Sequence, residues 1–190
     1  FIALNMAEKD TKTKILIIYF HEVGWDQRKF EDFLANKSPT FKTRIDRDNI
    51  KIVWPGDKHI PFTAAGGAPL AAWYDQAFGW EQNKFLPNTD RSGEDEGNVL
   101  DTLNHLDIYL HTIAPSYPNV DHIFIGGFSQ GGNIALHALS HIGIFQQHFN
   151  NKIRGVFTMG TLATPYSHIY ENLKNLINHN ETISMVKQFP

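Results

Sequence analysis

The stretch His122-Ile-Phe-Ile-Gly-Gly-Phe-Ser-Gln-Gly-Gly-Asn133 decides how the rest of the chain is read. Its first four residues are an apolar, β-branched and aromatic run of the kind that forms a strand covered on both faces. Residues 133–142 follow with helical character, so a strand leads directly into a helix through a glycine-rich turn. Within that turn Gly127-Phe128-Ser129-Gln130-Gly131 is a G-x-S-x-G pentapeptide. Strand, tight turn and helix together are the setting of a nucleophile elbow, in which small residues flank the serine because the backbone folds back on itself there. The elbow lifts Ser129 Oγ out of the sheet, and the new helix aims free N–H groups at the same spot. The Gln130 amide is thereby offered to an oxyanion forming on an attacked carbonyl. The competing reading is a glycine-rich turn that holds a serine by coincidence.

Working outward, residues 14–20 read as a first strand, residues 50–54 as a second, residues 122–125 as a third and residues 155–159 as a fourth. Asp26 caps a short helix whose apolar residues are Phe30, Phe33 and Leu34, and Ser38-Pro39 ends it. Residues 57–92 read as an irregular loop rich in aromatics, including Trp73-Tyr74-Asp75 and Phe78-Gly79-Trp80. Ser92-Gly93-Glu94-Asp95 resembles a capping box. After it Val99, Leu103, Leu106, Leu110 and Ile113 step by four and three along one helix face, closed by Pro115. Strands alternating with helices predict an α/β fold, a mostly parallel sheet with helices on both faces.

Composition narrows the function. The 190 residues carry 17 Lys+Arg and 20 Asp+Glu, a formal net charge of −3, which gives no basic nucleic-acid surface. With 42% hydrophobic and 19% charged residues the chain is too apolar for disorder. It has no cysteine, so disulfides, thiolate metal sites and cysteine nucleophiles are excluded. No cofactor is expected. The apolar run before His21 is too short to cross a bilayer, and Glu8 and Asp10 argue against a signal peptide, so a cytoplasmic location is expected. Met6 is a plausible native start, with residues 1–5 a fragment edge.

Gly126-Gly127-Phe128-Ser129-Gln130-Gly131-Gly132 resembles the nucleophile segment of the acyl-protein thioesterase/carboxylesterase/lysophospholipase family of α/β-hydrolases. Tyr19-Phe20-His21 resembles that family's apolar-His-Gly turn, Trp73-Tyr74-Asp75 its Trp-aromatic-Asp segment, and Glu94-Asp95-Glu96-Gly97 its acidic helix start. The resemblance implies a hydrolase domain over residues 14–165, preceded by an extension over 1–13 and followed by a divergent helical tail over 166–190. It implies Ser129 as nucleophile and the backbone amides of Gln130 and Val23 as oxyanion donors. Glu22 stands where the family has glycine, and it is expected either to push the loop outward with its side chain or to repel the oxyanion with its carboxylate, which weakens the assignment of Val23. Trp73 and Tyr74 are candidate walls of an acyl pocket, with an ordinary core role as the alternative.

The family supplies its acid and base in the order serine, acid, histidine. No aspartate follows Asp121, and nothing after Met159 resembles the family's acid-bearing strand. The C-terminal strands are therefore expected to be lacking, leaving a sheet edge that a second copy could cover. Glu171 and His179 have the required order and are the candidate acid and base. His137 and His141 lie one turn apart as zinc ligands would, yet a third ligand and the glutamate of an H-E-x-x-H helix are missing; a solvated helix face is the expectation, with no metal. His21 is expected either to hold the oxyanion loop or to be an ordinary buried histidine. The resulting expectation is a serine hydrolase acting on small acyl esters or thioesters through an acyl-enzyme on Ser129, impaired if the acid and base are lost, with an acylated protein or lysophospholipid among the candidate substrates. The alternative is a non-catalytic binding protein on the same scaffold.

Overall fold

The computed structural model describes residues 9–56, 58–76 and 96–160. Strand β1 (Ile15–Phe20) is followed by helices α1 (Gln27–Lys37) and α2 (Pro39–Arg47) and by β2 (Ile50–Val53). A hairpin, β3 (His59–Phe62) and β4 (Ala68–Ala71), comes next, then α3 (Glu96–Ile113), β5 (His122–Phe128), α4 (Gln130–Leu139), α5 (Ile142–Gln146) and β6 (Ile153–Met159). The main sheet is parallel, in the order β2-β1-β5-β6. The chain runs outward from β1 to β2 and then returns to the other side of β1 for β5. This reversal makes the crevice at the carboxyl ends of β1 and β5 the switch point where open α/β sheets bind ligands.

Each strand alternates its side chains across the sheet. Leu16, Ile18, Phe20, Ile123 and Ile125 point to one face and are fully buried, together with Leu103, Leu106 and Leu110 of α3 and Ile134, Ala135 and Ala138 of α4. Tyr19 and Trp54 point to the other face, where Phe30 of α1 packs against both, at ring separations of 4.6 and 4.9 Å. Helices therefore lie on both faces, as the alternation of elements predicts. The expected apolar stripe of α3 is the buried one, with Val99 to Leu110 in the core and Ile113 packed at its margin.

Several boundaries differ from expectation. Asp26 caps α1 as predicted, its Oδ1 accepting from the Lys29 amide at 2.7 Å. Pro39, however, both ends α1 and opens α2 as its first residue, where a missing N–H is harmless. The stretch expected to be irregular contains the antiparallel β3–β4 hairpin, turned through a 3₁₀ segment (Thr63–Ala65) and Gly66 and Gly67, both at positive φ. One helix was expected over residues 133–142; α4 instead starts at Gln130, directly after the serine, and a second helix, α5, follows. Phe78-Gly79-Trp80, the capping box at residues 92–95 and the tail from residue 166 lie outside the described residues.

The sheet also bears on one glycine before the elbow. A Cβ at Gly126 would lie 2.3 Å from ring carbons of Phe157 on β6. That ring is half-buried and can swing aside, so Gly126→Ala is expected to destabilise by only about 1–2 kcal/mol in urea denaturation.

Candidate active site

Ser129 sits between β5 and α4 with φ 54° and ψ −121°, a conformation that disfavours every residue with a side chain. Its amide donates to the Met159 carbonyl at 2.9 Å, and its carbonyl accepts from the amides of Gly132 and Asn133 as the helix begins. The turn is tight enough that a Cβ at Gly127 would lie 2.4 Å from the Gly131 carbonyl carbon. A Cβ at Gly131 would lie 2.2 Å from the Phe20 carbonyl oxygen and 2.6 Å from that of His21. The first turn of α4 is thus seated directly on the end of β1, where Phe20 pairs with Gly127.

The loop leaving β1 is fixed from three sides. Gly24 donates from its amide to the Ala71 carbonyl at 2.8 Å, Val23 packs with Ile60, Phe62 and Ala72 of the hairpin region, and His21 Nδ1 is 2.8 Å from the Glu22 carbonyl oxygen. A carbonyl only accepts, so Nδ1 carries the proton in that contact. The His21 ring is buried and lies against Trp73, with ring centres 4.5 Å apart. Trp73 Nε1 donates to the His21 carbonyl at 2.8 Å.

Gln130 holds the other side of this arrangement. Its buried side-chain amide accepts from the Trp73 N–H and donates to the Tyr74 carbonyl, both at 2.8 Å. Thr102 Oγ1 donates to the Trp73 carbonyl at 2.6 Å, and Asn133 Nδ2 to the Tyr74 hydroxyl at 2.8 Å. Asp75 then ties the segment to the hairpin by accepting from the Thr63 amide at 2.7 Å and from the Thr63 hydroxyl.

The family described as phospholipase/carboxylesterase matches residues 3–186. The chain belongs to this phospholipase/carboxylesterase family. Acyl-protein thioesterase 1 of Schizosaccharomyces pombe is 32% identical over 138 residues, 72% of this chain and 53% of that protein. Acyl-protein thioesterase 1 of Neurospora crassa is 33% identical over 120 residues, 63% of this chain and 46% of that protein. The chain spans about half the length of these two relatives. The crystal structure of Zea mays acyl-protein thioesterase 2 has the same fold, with a TM-score of 0.54 at 17% identity over 88% of this chain and 64% of that one.

In this phospholipase/carboxylesterase family member the expected residues are distributed unevenly. Ser129, Gln130 and Val23 come from the carboxyl ends of the adjacent strands β5 and β1. Trp73 and Tyr74 are 2% and 1% exposed, so the described structure gives their rings to the core beneath the loop and their polar atoms to the network above. Glu171 and His179 lie outside the described residues. His137 corrects an expectation: it is 7% exposed on the buried side of α4, not on a solvated face. His141 Nδ1 instead meets Ser140 Oγ at 3.0 Å. Among the described residues no group of three His, Asp or Glu side chains is placed to hold a metal ion, and no helix is long and apolar enough to cross a membrane.

The side chains of Gln130, Asn133 and Thr102 escaped the sequence reading. The available signal was polar residues sitting within apolar helix stripes, which in a buried position must find partners.

Glu22 is partly buried, and that burial raises its carboxyl above the usual carboxylate range. It also helps to push the Tyr19 phenol up to about 12, after the larger effect of burial. A carboxyl whose value is raised on folding binds its proton more tightly in the native state. Its cost to folding is therefore absent in acid, sets in as pH rises past the ordinary carboxylate value and is complete above the raised one. Glu22→Gln is expected to raise the melting temperature at neutral pH and to leave it unchanged in acid below the ordinary carboxylate range, as thermal denaturation across that span would register.

Proposed function

We propose that the chain carries the nucleophile and oxyanion site of a carboxylic ester or thioester hydrolase. Ser129 Oγ attacks the acyl carbon while its proton passes to a base, and the carbonyl electron pair moves onto oxygen. The amides of Gln130 and Val23 receive that oxyanion. Collapse expels the alkoxide or thiolate, which takes a proton, and leaves the acyl group on Ser129. Water then repeats the sequence, releasing the acid and restoring the hydroxyl. Glu171 and His179 are the acid and base assigned in this reading. Small acyl esters and thioesters are the substrate class, acylated proteins and lysophospholipids included. Support for the acyl chemistry comes from family membership and from the thioesterase names of the relatives.

The observation that carries the reading is the Ser129 backbone at φ 54°, held at the switch point by two glycines that contact β1 and each other. A second reading, a binding protein without turnover, is favoured by a glutamate, Glu22, standing in the oxyanion loop where the family has glycine. A fluorophosphonate probe separates the two. Labelling of the intact chain that disappears in Ser129→Ala supports the hydrolase, whereas equal signal in both proteins supports the binding protein. Glu171→Gln and His179→Ala are expected to abolish hydrolysis of p-nitrophenyl butyrate; full activity in both variants removes that pair from the mechanism.

A further inference from the structure

We infer that Gln130 positions both amide donors of the oxyanion site, its own through the first turn of α4 and that of Val23 through a hydrogen-bonded path by way of Trp73. The inference rests on the hydrolase reading above and concerns the side chain of Gln130, whereas that reading uses only its backbone. The path starts at the Gln130 side-chain amide, which holds the Trp73 N–H and the Tyr74 carbonyl as a matched pair. That pair fixes the Trp73 main chain, with Thr102 Oγ1 fixing its carbonyl from α3. The indole N–H then reaches the His21 carbonyl, and the indole face supports the His21 ring.

His21 completes the path. Its Nδ1–H and the Trp25 amide, at 2.8 and 3.2 Å, both donate to the Glu22 carbonyl oxygen. The Glu22 carbonyl and the Val23 N–H belong to one peptide unit, and in a planar trans peptide they point in opposite directions. Fixing the carbonyl therefore fixes the direction in which the Val23 N–H points. Gln130 is 3% exposed and Trp73 2% exposed, so water does not compete for these bonds. Donors held rigid in advance stabilise a developing oxyanion more than donors that must reorient. Gln130 is in this sense a positioning residue for Val23, and Trp73 is its intermediary.

Trp73→Phe removes the indole N–H while keeping an aromatic ring against His21. Gln130→Met removes both side-chain hydrogen bonds at similar length. In the full chain each is expected to lower kcat for p-nitrophenyl butyrate by about 10- to 100-fold with KM within about twofold, because the oxyanion exists only in the transition state. Fluorophosphonate labelling of Ser129 is expected to slow by the same factor. Residues acting through one path are non-additive, so the double variant is expected to match Gln130→Met alone. An unchanged kcat in Trp73→Phe, or a double variant that loses the product of the two factors, overturns the inference; Trp73→Phe suffices should Gln130→Met not fold.

If the unaltered chain itself shows no Ser129-dependent labelling, the hydrolase reading fails, and the positioning role is then read from amide hydrogen exchange over residues 21–25. Exchange there at least about tenfold faster in Trp73→Phe supports the path. Unchanged exchange overturns it.

Discussion

Gly131→Ala is expected to cost about 3 kcal/mol or more. The added Cβ would sit 2.2 Å from the Phe20 carbonyl oxygen, 2.5 Å from the Phe20 carbonyl carbon and 2.6 Å from the His21 oxygen. All three are main-chain atoms at the end of a central strand, so none can rotate away as the Phe157 ring can beside Gly126. Relief requires α4 to lift off β1, which exposes Ile134 and Ala135 and misplaces the serine together with the His21 loop. Gly143→Ala on α5 is the matched control. Its Cβ would meet nothing within 4 Å, and alanine is the better helix former, so that variant is expected to gain a few tenths to 1 kcal/mol. Urea denaturation of the pair checks both signs, and a Gly131→Ala midpoint close to that of the unaltered chain would show that the elbow is not seated as described.

Ser129 is expected to divide activity from stability. Ser129→Ala should remove fluorophosphonate labelling and lower ester hydrolysis by at least about a thousandfold, since the nucleophile is lost while the amide donors remain. Ser129→Gly should lose activity equally and yet be more stable than Ser129→Ala by about 1–2 kcal/mol. Glycine occupies φ 54° without the strain that any Cβ brings there. Comparing glycine with alanine cancels the missing hydroxyl, so the difference reports the backbone alone. Thermal denaturation measures it, and alanine equal to or better than glycine would contradict the strained turn.

The four strands of the main sheet were legible because each is a short apolar run bounded by turn residues, and the elbow was legible because its strand and helix flank it immediately. The hairpin was not. Pro61 and Pro69 stand opposite each other across β3 and β4, and Gly66 and Gly67 make the turn. Four residues that ordinarily break structure thus mark a short two-stranded ribbon, in which proline is tolerated at the edge. Pro39 misled in the same way, reading as a stop when it is also a start. At the site, Ser129 and the Gln130 amide follow from local pattern. The Gln130 side chain does not, because its partners Trp73 and Tyr74 lie far back in the chain and only the folded sheet brings them together. His137 was misjudged because its place on the buried side of α4 is set by the sheet beneath it.

The seat of Gly131 on the Phe20 carbonyl has a kinetic corollary. The elbow cannot be assembled from its own neighbourhood, since the surface that shapes it is delivered by a strand from the opposite end of the described chain. Helix α4 can flicker into existence early, but the hydroxyl gains its final setting only when β1 has slotted beside β5, a contact of long sequence separation and correspondingly slow closure. During refolding, recovery of probe reactivity should therefore lag behind recovery of helical signal. An excised peptide covering β5 and α4 alone should be inert.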